Sequence, residues 1–165
     1  MAYTESGDNT IFTYAIDKLL ARVRNRTGNQ TKMLRDPAGK QIYDQTALTD
    51  MEEPDFNVLY PQAAAYVFET LQSLAQGVDD AFAWDTTEIT FILELPEYWD
   101  PNKTPIMDLQ VFSVLVYWIC REWFITAGMP SLYQEFDLLL TGAQKDLKVS
   151  VVSRTYRATR KYRSL

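Results

Sequence analysis

Apolar residues recur along this chain in two periods, and the switches between them mark out its elements. Phe12, Ile16, Leu19, Leu20 and Val23 fall at spacings of 4, 3, 1 and 3, which is one face of an α-helix beginning at Thr10. Asn9 or Thr10 is read as its N-cap, and Gly28 with Asn29 as its stop. Residues 1–9, polar and rich in turn formers, read as an arm. Ala64, Val67, Phe68, Leu71 and Leu74 predict a second helix from about Pro61 to Gln76, with the proline in its first turn and Gly77 just past its end. Thr87 to Leu95 then alternates. Ile89, Phe91, Leu93 and Leu95 face one way, and Glu88, Thr90 and Glu94 face the other, the period of a half-buried strand.

The stretch LPEYWDPNKTPIMDLQVFSVLVYWICREW, Leu95 to Trp123, joins that strand to a helix apolar almost all round, which must be covered on several sides. Thr104-Pro105 is its start and Gly128 its terminator, after Ala127. Pro130 opens a further helix whose stripe is Leu132, Phe136, Leu139, Leu140, Ala143, Leu147 and Val151, interrupted by Gly142. So short a turn implies that these two helices pack as an antiparallel hairpin. A single strand cannot satisfy its own backbone. Its partner is expected either in a hairpin near residues 31–43, turned by Asp36-Pro37-Ala38-Gly39, or in a strand of another subunit. The fold expected is therefore mainly α, with four principal helices in a bundle-like packing and a small β element. Residues 1–153 read as one mostly helical domain with a loop-rich insertion at 27–57, which includes the acidic TDMEEPD, and residues 154–165 as a basic C-terminal tail.

Composition sharpens this picture in two respects. The chain has 165 residues, enough for one domain with its own core, and its 13% aromatic content argues for a folded protein. Net charge is −6, yet the tail RTYRATRKYRSL holds five of the 16 basic residues and no acid; the rest of the chain, with 11 basic and 22 acidic residues, stands at −11. Such a body repels nucleic acid, while the tail attracts polyanions or the acidic body of a neighbouring copy. The first residues lack the basic and apolar regions of a signal peptide. The longest apolar run, Val111 to Cys120, is half of the ~20 residues a membrane span needs, so no membrane partner is expected.

Candidate chemistry is sparse. There is no histidine, which removes the commonest general base and the usual zinc ligands, and one cysteine cannot build a thiolate metal site or a disulfide. Cys120 reads as a small buried hydrophobe. Neither phosphate-cradling glycine motif occurs. Three carboxylate groups (Asp50, Glu52, Glu53 and Asp55; Asp79, Asp80, Asp85 and Glu88; Glu94, Glu97 and Asp100) lack the spacing of an EF-hand and read as solvated loop charge. They are all that a carboxylate-based hydrolase would have. Trp84, Trp99, Trp118 and Trp123, with Tyr98 and Tyr117, could form a stacking surface but read better as core or subunit interface. Arg22, Arg24 and Arg26 read as cations at a helix C-terminus rather than as a binding patch. The expectation is a protein that is not an enzyme and holds no cofactor or metal.

The tail is the most pointed feature. If it is helical, Arg154, Arg157 and Lys161 share one face, with Tyr156, Arg160 and Arg163 nearby and Tyr162 between them. Basic residues interleaved with tyrosines suit a phosphate backbone, an acidic groove of a protein partner, or simply a solvated end.

In its order of elements the chain resembles head-to-tail connector proteins of tailed bacteriophages, also called adaptor or neck proteins, and most nearly those from phages of Bacteroides-type gut bacteria. The likeness lies in the strand ending in LPEYWDPNKTP, the long helix ending in REWF and the helix leading into an arginine-rich tail, and it covers mainly residues 85–165. It implies a virion structural protein, a subunit of an oligomeric ring of about twelve copies at the neck. The ring would join the portal protein at the capsid vertex to the tail or to a second neck protein. It would be made in the host bacterial cytoplasm and would let genomic DNA pass without sequence-specific binding. Under that resemblance Arg154 to Leu165 correspond to the portal-docking segment. A tail-completion or terminator protein, and a nucleic-acid-binding regulator that uses the tail, are the alternatives.

Overall fold

The chain opens with strands, not with the helix its first apolar residues suggest. The computed structural model describes residues 2–6, 9–32, 34–35, 38–39, 47–48, 53–75, 80–95 and 99–152. Within them the fold is mainly α-helical, with four helices and a small antiparallel sheet. The strands are β1 (Ala2–Ser6), β2 (Asn9–Ala15), β3 (Ala81–Trp84) and β4 (Glu88–Glu94), in the spatial order β1-β2-β4-β3. Phe12 lies opposite Phe91 and Tyr14 opposite Ile89. Directly opposed residues share a face, so Thr10, Phe12 and Tyr14 join Ile89, Phe91 and Leu93 in one buried layer. Phe82 extends that layer, its ring centroid 6.4 Å from Phe91.

The alternation at 88–94 is thus a strand, as read. Its partners are β2 and β3 of the same chain, neither the hairpin near 31–43 nor a strand from another subunit. Thr31 is the last residue of a helix, and much of the proposed hairpin lies outside the described residues. Gly39 has φ 80°, and its carbonyl accepts a hydrogen bond from Arg35 Nη1 at 3.1 Å.

Helix α1 (Ile16–Thr31) follows β2 directly. Asn9 and Thr10 are strand residues and cap nothing; Ala15, extended at φ −66° and ψ 130°, is the N-cap, and the Ile16 N–H donates to the Thr87 carbonyl at 2.8 Å. The chain stays helical through Gly28 and Asn29 because its last turns are tied down from within. The buried Thr27 and Thr31 hydroxyls donate to the carbonyls of Val23 and Thr27 at 3.1 and 2.9 Å, and Thr27 Oγ1 accepts from the Leu48 N–H at 3.2 Å. Helix α2 (Glu53–Ala75) starts two turns before Pro61, so the end of the acidic loop is its first turn. Glu53 and Asp55 there favour the positive end of the helix dipole. Pro61 lies inside, at the loss of one backbone bond, in a helix that buries Phe56, Tyr60, Ala63, Ala64, Val67 and Leu71.

Asp100 caps the 3-10 turn Pro101–Lys103 by accepting from the Asn102 N–H at 3.1 Å. Thr104 opens α3 (Thr104–Thr126), but its hydroxyl is buried and accepts from the Trp99 indole N–H at 3.1 Å instead of capping. Trp99 is accordingly packed against the core. At the far end Gly128 adopts φ 67°, and the N–H groups of Met129 and Gly128 donate to the carbonyls of Phe124 and Ile125. That pair of bonds is a Schellman motif, so Gly128 terminates α3 as read. Helix α4 (Pro130–Val152) folds back along α3. Leu132, Phe136, Leu140 and Leu147 of its stripe are buried, whereas Leu139 faces out.

Helix α3 is the centre of the molecule, in contact with α1, α2, α4 and β1. Trp118, Trp123 and Cys120 are core residues, and burial pushes the Cys120 thiol well above its ordinary value, against a smaller opposing effect of Arg26. Gly142 sits inside α4 with open space where a Cβ would stand. Gly142→Ala is expected to raise the unfolding free energy by about 1 kcal/mol, read as a higher urea midpoint.

Candidate functional site

Four of the eight large apolar side chains exposed among the described residues sit on one face of the α3–α4 hairpin. Ile106 and Leu109 of α3 are 52% and 56% exposed, and Leu138 and Leu139 of α4 are exposed beside them, Leu138 at 75%. With Gln110, Ser113 and Tyr117 the two α3 residues follow the helical repeat, so between Ile106 and Tyr117 α3 shows one narrow stripe to the outside while its other residues there are buried. A surface groove lies on each side of that stripe.

The first groove, about 440 Å³, runs between α1 and α3. Its floor is Leu109, Phe112, Val116 and Tyr117, and its outer wall carries Lys18, Arg22 and Arg26. These cations stand at i, i+4 and i+8 and so form one ridge along α1. The guanidinium of Arg26 lies 5.8 Å from the Tyr117 ring centroid. Lys18 and Arg22 form no ion pair with any described residue. The arginines at 22, 24 and 26 therefore do not solvate a helix end. Arg24 is bonded to Glu53 at 3.3 Å, while Arg22 and Arg26 line the groove. The second groove, about 390 Å³, lies between α3 and α4 and is lined by Leu138, Leu139, Gly142 and Asp146 opposite Ile106 and Leu109. Leu109, Ser113 and Tyr117 belong to both grooves, so the whole is one continuous surface, largely apolar, with a basic margin on the α1 side. Gln30 Nε2 donates to Glu135 Oε1 at 2.9 Å and ties α1 to α4 beyond the Tyr117 end.

Of the described carboxylates in the three groups, Glu53, Asp80, Asp85 and Asp100 are in structural use. Asp85 Oδ1 accepts from the Thr87 N–H, the Thr87 hydroxyl and the Glu88 N–H at 2.6, 2.7 and 2.9 Å, which fixes the β3–β4 turn and holds the Asp85 carboxyl below its ordinary value. Asp80 accepts from the Glu94 N–H at 2.9 Å. Among the described residues no group of three or more His, Cys, Asp or Glu is placed to hold a metal ion, and no helix is long and apolar enough to cross a membrane. Asp50, Glu52, Asp79 and Glu97 lie outside the described residues. So do all the residues singled out in the tail: Arg154, Tyr156, Arg157, Arg160, Lys161, Tyr162 and Arg163.

The surface that geometry brings together was thus only half visible in the residues. Arg22 and Arg26 stand out by charge, but Ile106 and Leu109 look like the rest of an apolar helix until its neighbours are placed. No family model, curated protein or solved structure matches this chain.

Proposed function

We propose that this protein is an assembly subunit, a head-to-tail connector that joins a phage portal to the tail as part of an oligomeric ring. The observation that carries the reading is the stripe of exposed Ile106 and Leu109 with half-buried Tyr117 and its two flanking grooves, on a helix whose other residues over that stretch are enclosed by its own chain. A surface of this kind, apolar at its centre and charged at its margin, has the anatomy of a protein–protein interface. The likeness of residues 85–165 to connector proteins supplies the kind of assembly. In this account the α1–α3–α4 face makes contacts within the ring, the tail Arg154–Leu165 docks onto the portal, and the genome passes through without base-specific contact. The site of action is the virion neck, at the portal vertex.

Removal of residues 154–165 is expected to abolish portal binding while leaving the subunit folded, as checked by co-sedimentation with portal rings and by circular dichroism. Undiminished portal binding by the truncated chain would remove the docking role of the tail. The basic ridge on α1 gives one observation in favour of the nucleic-acid-binding alternative. That reading predicts retention of a DNA fragment that weakens steeply as salt rises.

A further inference from the structure

Among the described residues nothing fills the groove between α1 and α3, and the same chain carries a matching projection at the end of its edge strand β3. Trp84, at the end of β3, is 49% exposed although its ring stacks on Phe82 at 5.5 Å and lies on the buried face, opposite Ile89. It is the only exposed aromatic among the large apolar side chains of the described residues. The turn that follows is acidic at both ends, Asp85 and Glu88, and rigid. Besides its Oδ1 contacts, the Asp85 N–H donates to the Glu88 carbonyl at 3.0 Å, and Tyr60 Oη donates to the Asp85 carbonyl at 3.1 Å. Half-exposing an indole on a rigid support has no benefit to the isolated subunit. It is what an interface anchor requires, because tryptophan gives large buried area at small conformational cost.

We propose that the Trp84–Glu88 turn of one copy docks into the α1–α3 groove of a second copy. In that contact Trp84 covers Leu109, Phe112 and Tyr117, and the carboxylates of Asp85 and Glu88 face Lys18 and Arg22. The complementarity is in both polarity and charge: an apolar floor with a cationic wall meets an aromatic knob with an anionic base. Within one subunit the turn abuts the start of α1, where the Thr87 carbonyl accepts from the Ile16 N–H at 2.8 Å, but it does not enter the groove: Trp84 stands two strands from Tyr14, roughly 10 Å away, whose ring stacks on Phe112 of the groove floor at 5.8 Å, and no residue of the turn lines the groove. Knob and groove are different sets of residues, so a contact that seats the knob of one copy in the groove of the next is heterologous. Repeated from copy to copy it closes a ring or grows a filament. The inference rests on the assembly reading above and names the surfaces that the ring would use.

Its test uses two full-length variants, Trp84→Ser with the knob removed and Lys18→Glu/Arg22→Glu with the groove reversed in charge. All three substitutions fall at exposed positions, and unchanged thermal midpoints identify folded protein. Sedimentation velocity over a concentration series is expected to show self-association of the natural chain, weakened about 30-fold or more in each variant. Mixing the two variants is the sharper experiment. Each keeps one competent half of a heterologous contact, so the mixture should form one-to-one heterodimers that cannot grow further. Variants that assemble as well as the natural chain, or a mixture that forms no heterodimer although the natural chain assembles, would overturn the proposed contact and leave the connector reading in place. A natural chain that is monomeric throughout overturns the contact as well; the connector reading then stands or falls on portal binding alone.

Discussion

Phe136→Ala is expected to lower the unfolding free energy by about 3–5 kcal/mol, the largest loss anticipated for any single substitution discussed for this chain. Phe136 is fully buried on α4, with its ring centroid 5.4 Å from Phe124 and 6.2 Å from Tyr117, both on α3. It is the side chain that fastens the hairpin between these helices from inside. Arg121 adds a polar clasp by donating to Asp137 at 3.2 Å, but that pair is partly exposed and contributes little. Truncation removes the ring and leaves a cavity that two rigid helices cannot collapse. Urea unfolding should therefore show a lower midpoint at nearly unchanged slope. A loss below about 1 kcal/mol would mean that α4 is not seated on α3 as described.

Alkaline conditions should produce the second large effect. Burial raises the pKa of Tyr14 well above 10.0, with the neighbouring Asp108 charge and a hydrogen bond to Asp108 adding to the rise, and burial raises Cys120 above 9.0. Both groups hold their protons more tightly in the folded chain. Above their ordinary values the unfolded chain releases protons first, so the unfolded state binds fewer protons and stability falls as pH rises. Their contribution is complete below about pH 8, begins to be lost near pH 9 for Cys120 and near pH 10 for Tyr14, and declines by up to about 1.4 kcal/mol per pH unit for each. Stability at pH 11 should therefore lie below that at pH 8, with both groups contributing to the loss. Cys120→Ala isolates one of them. Between pH 9 and 10 its stability should fall less steeply than that of the natural chain, and equal slopes would contradict the burial of Cys120.

What the residues alone revealed, and where they misled, follows from which forces are local. The α3–α4 hairpin was legible because its boundaries are set by backbone chemistry: Gly128 alone takes φ 67° without strain, and Pro130 suits a first turn. β4 was legible because alternation over seven residues has no helical counterpart. β2 was missed because Phe12 and Ile16, four apart, also satisfy the helical repeat and appear to continue into Leu19 and Val23. The opposing signal was the run Thr10, Ile11, Phe12, Thr13, Tyr14, whose β-branched and aromatic residues fit a pleated surface. At α2, Pro61 was taken for a helix start, whereas Tyr60 and Phe56 already carried the stripe one turn and two turns before Ala64. Local propensity favoured the later start, and burial in the assembled core decided for the earlier one.

For function the gap is wider. The tail drew attention through charge, which is visible in any sequence, but charge alone suits an acidic partner and a phosphate backbone equally. The α1–α3–α4 surface depends on which apolar residues are left uncovered, and that is a property of the whole fold. In a helix with thirteen buried residues out of 23, nothing in the identities of Ile106 and Leu109 separates them from Met107 and Val111. Trp84 shows the same limit from the other side, since only its exposure on a rigid turn distinguishes it from the buried Trp118 and Trp123.

The central claim is that this chain acts by assembling with copies of itself and with a portal. The most direct measurement is native mass spectrometry of the full-length protein, alone and mixed with portal rings. We predict a closed ring of one defined subunit number, or a subunit that joins the portal ring in fixed stoichiometry. A protein that remains monomeric in both samples would contradict the account.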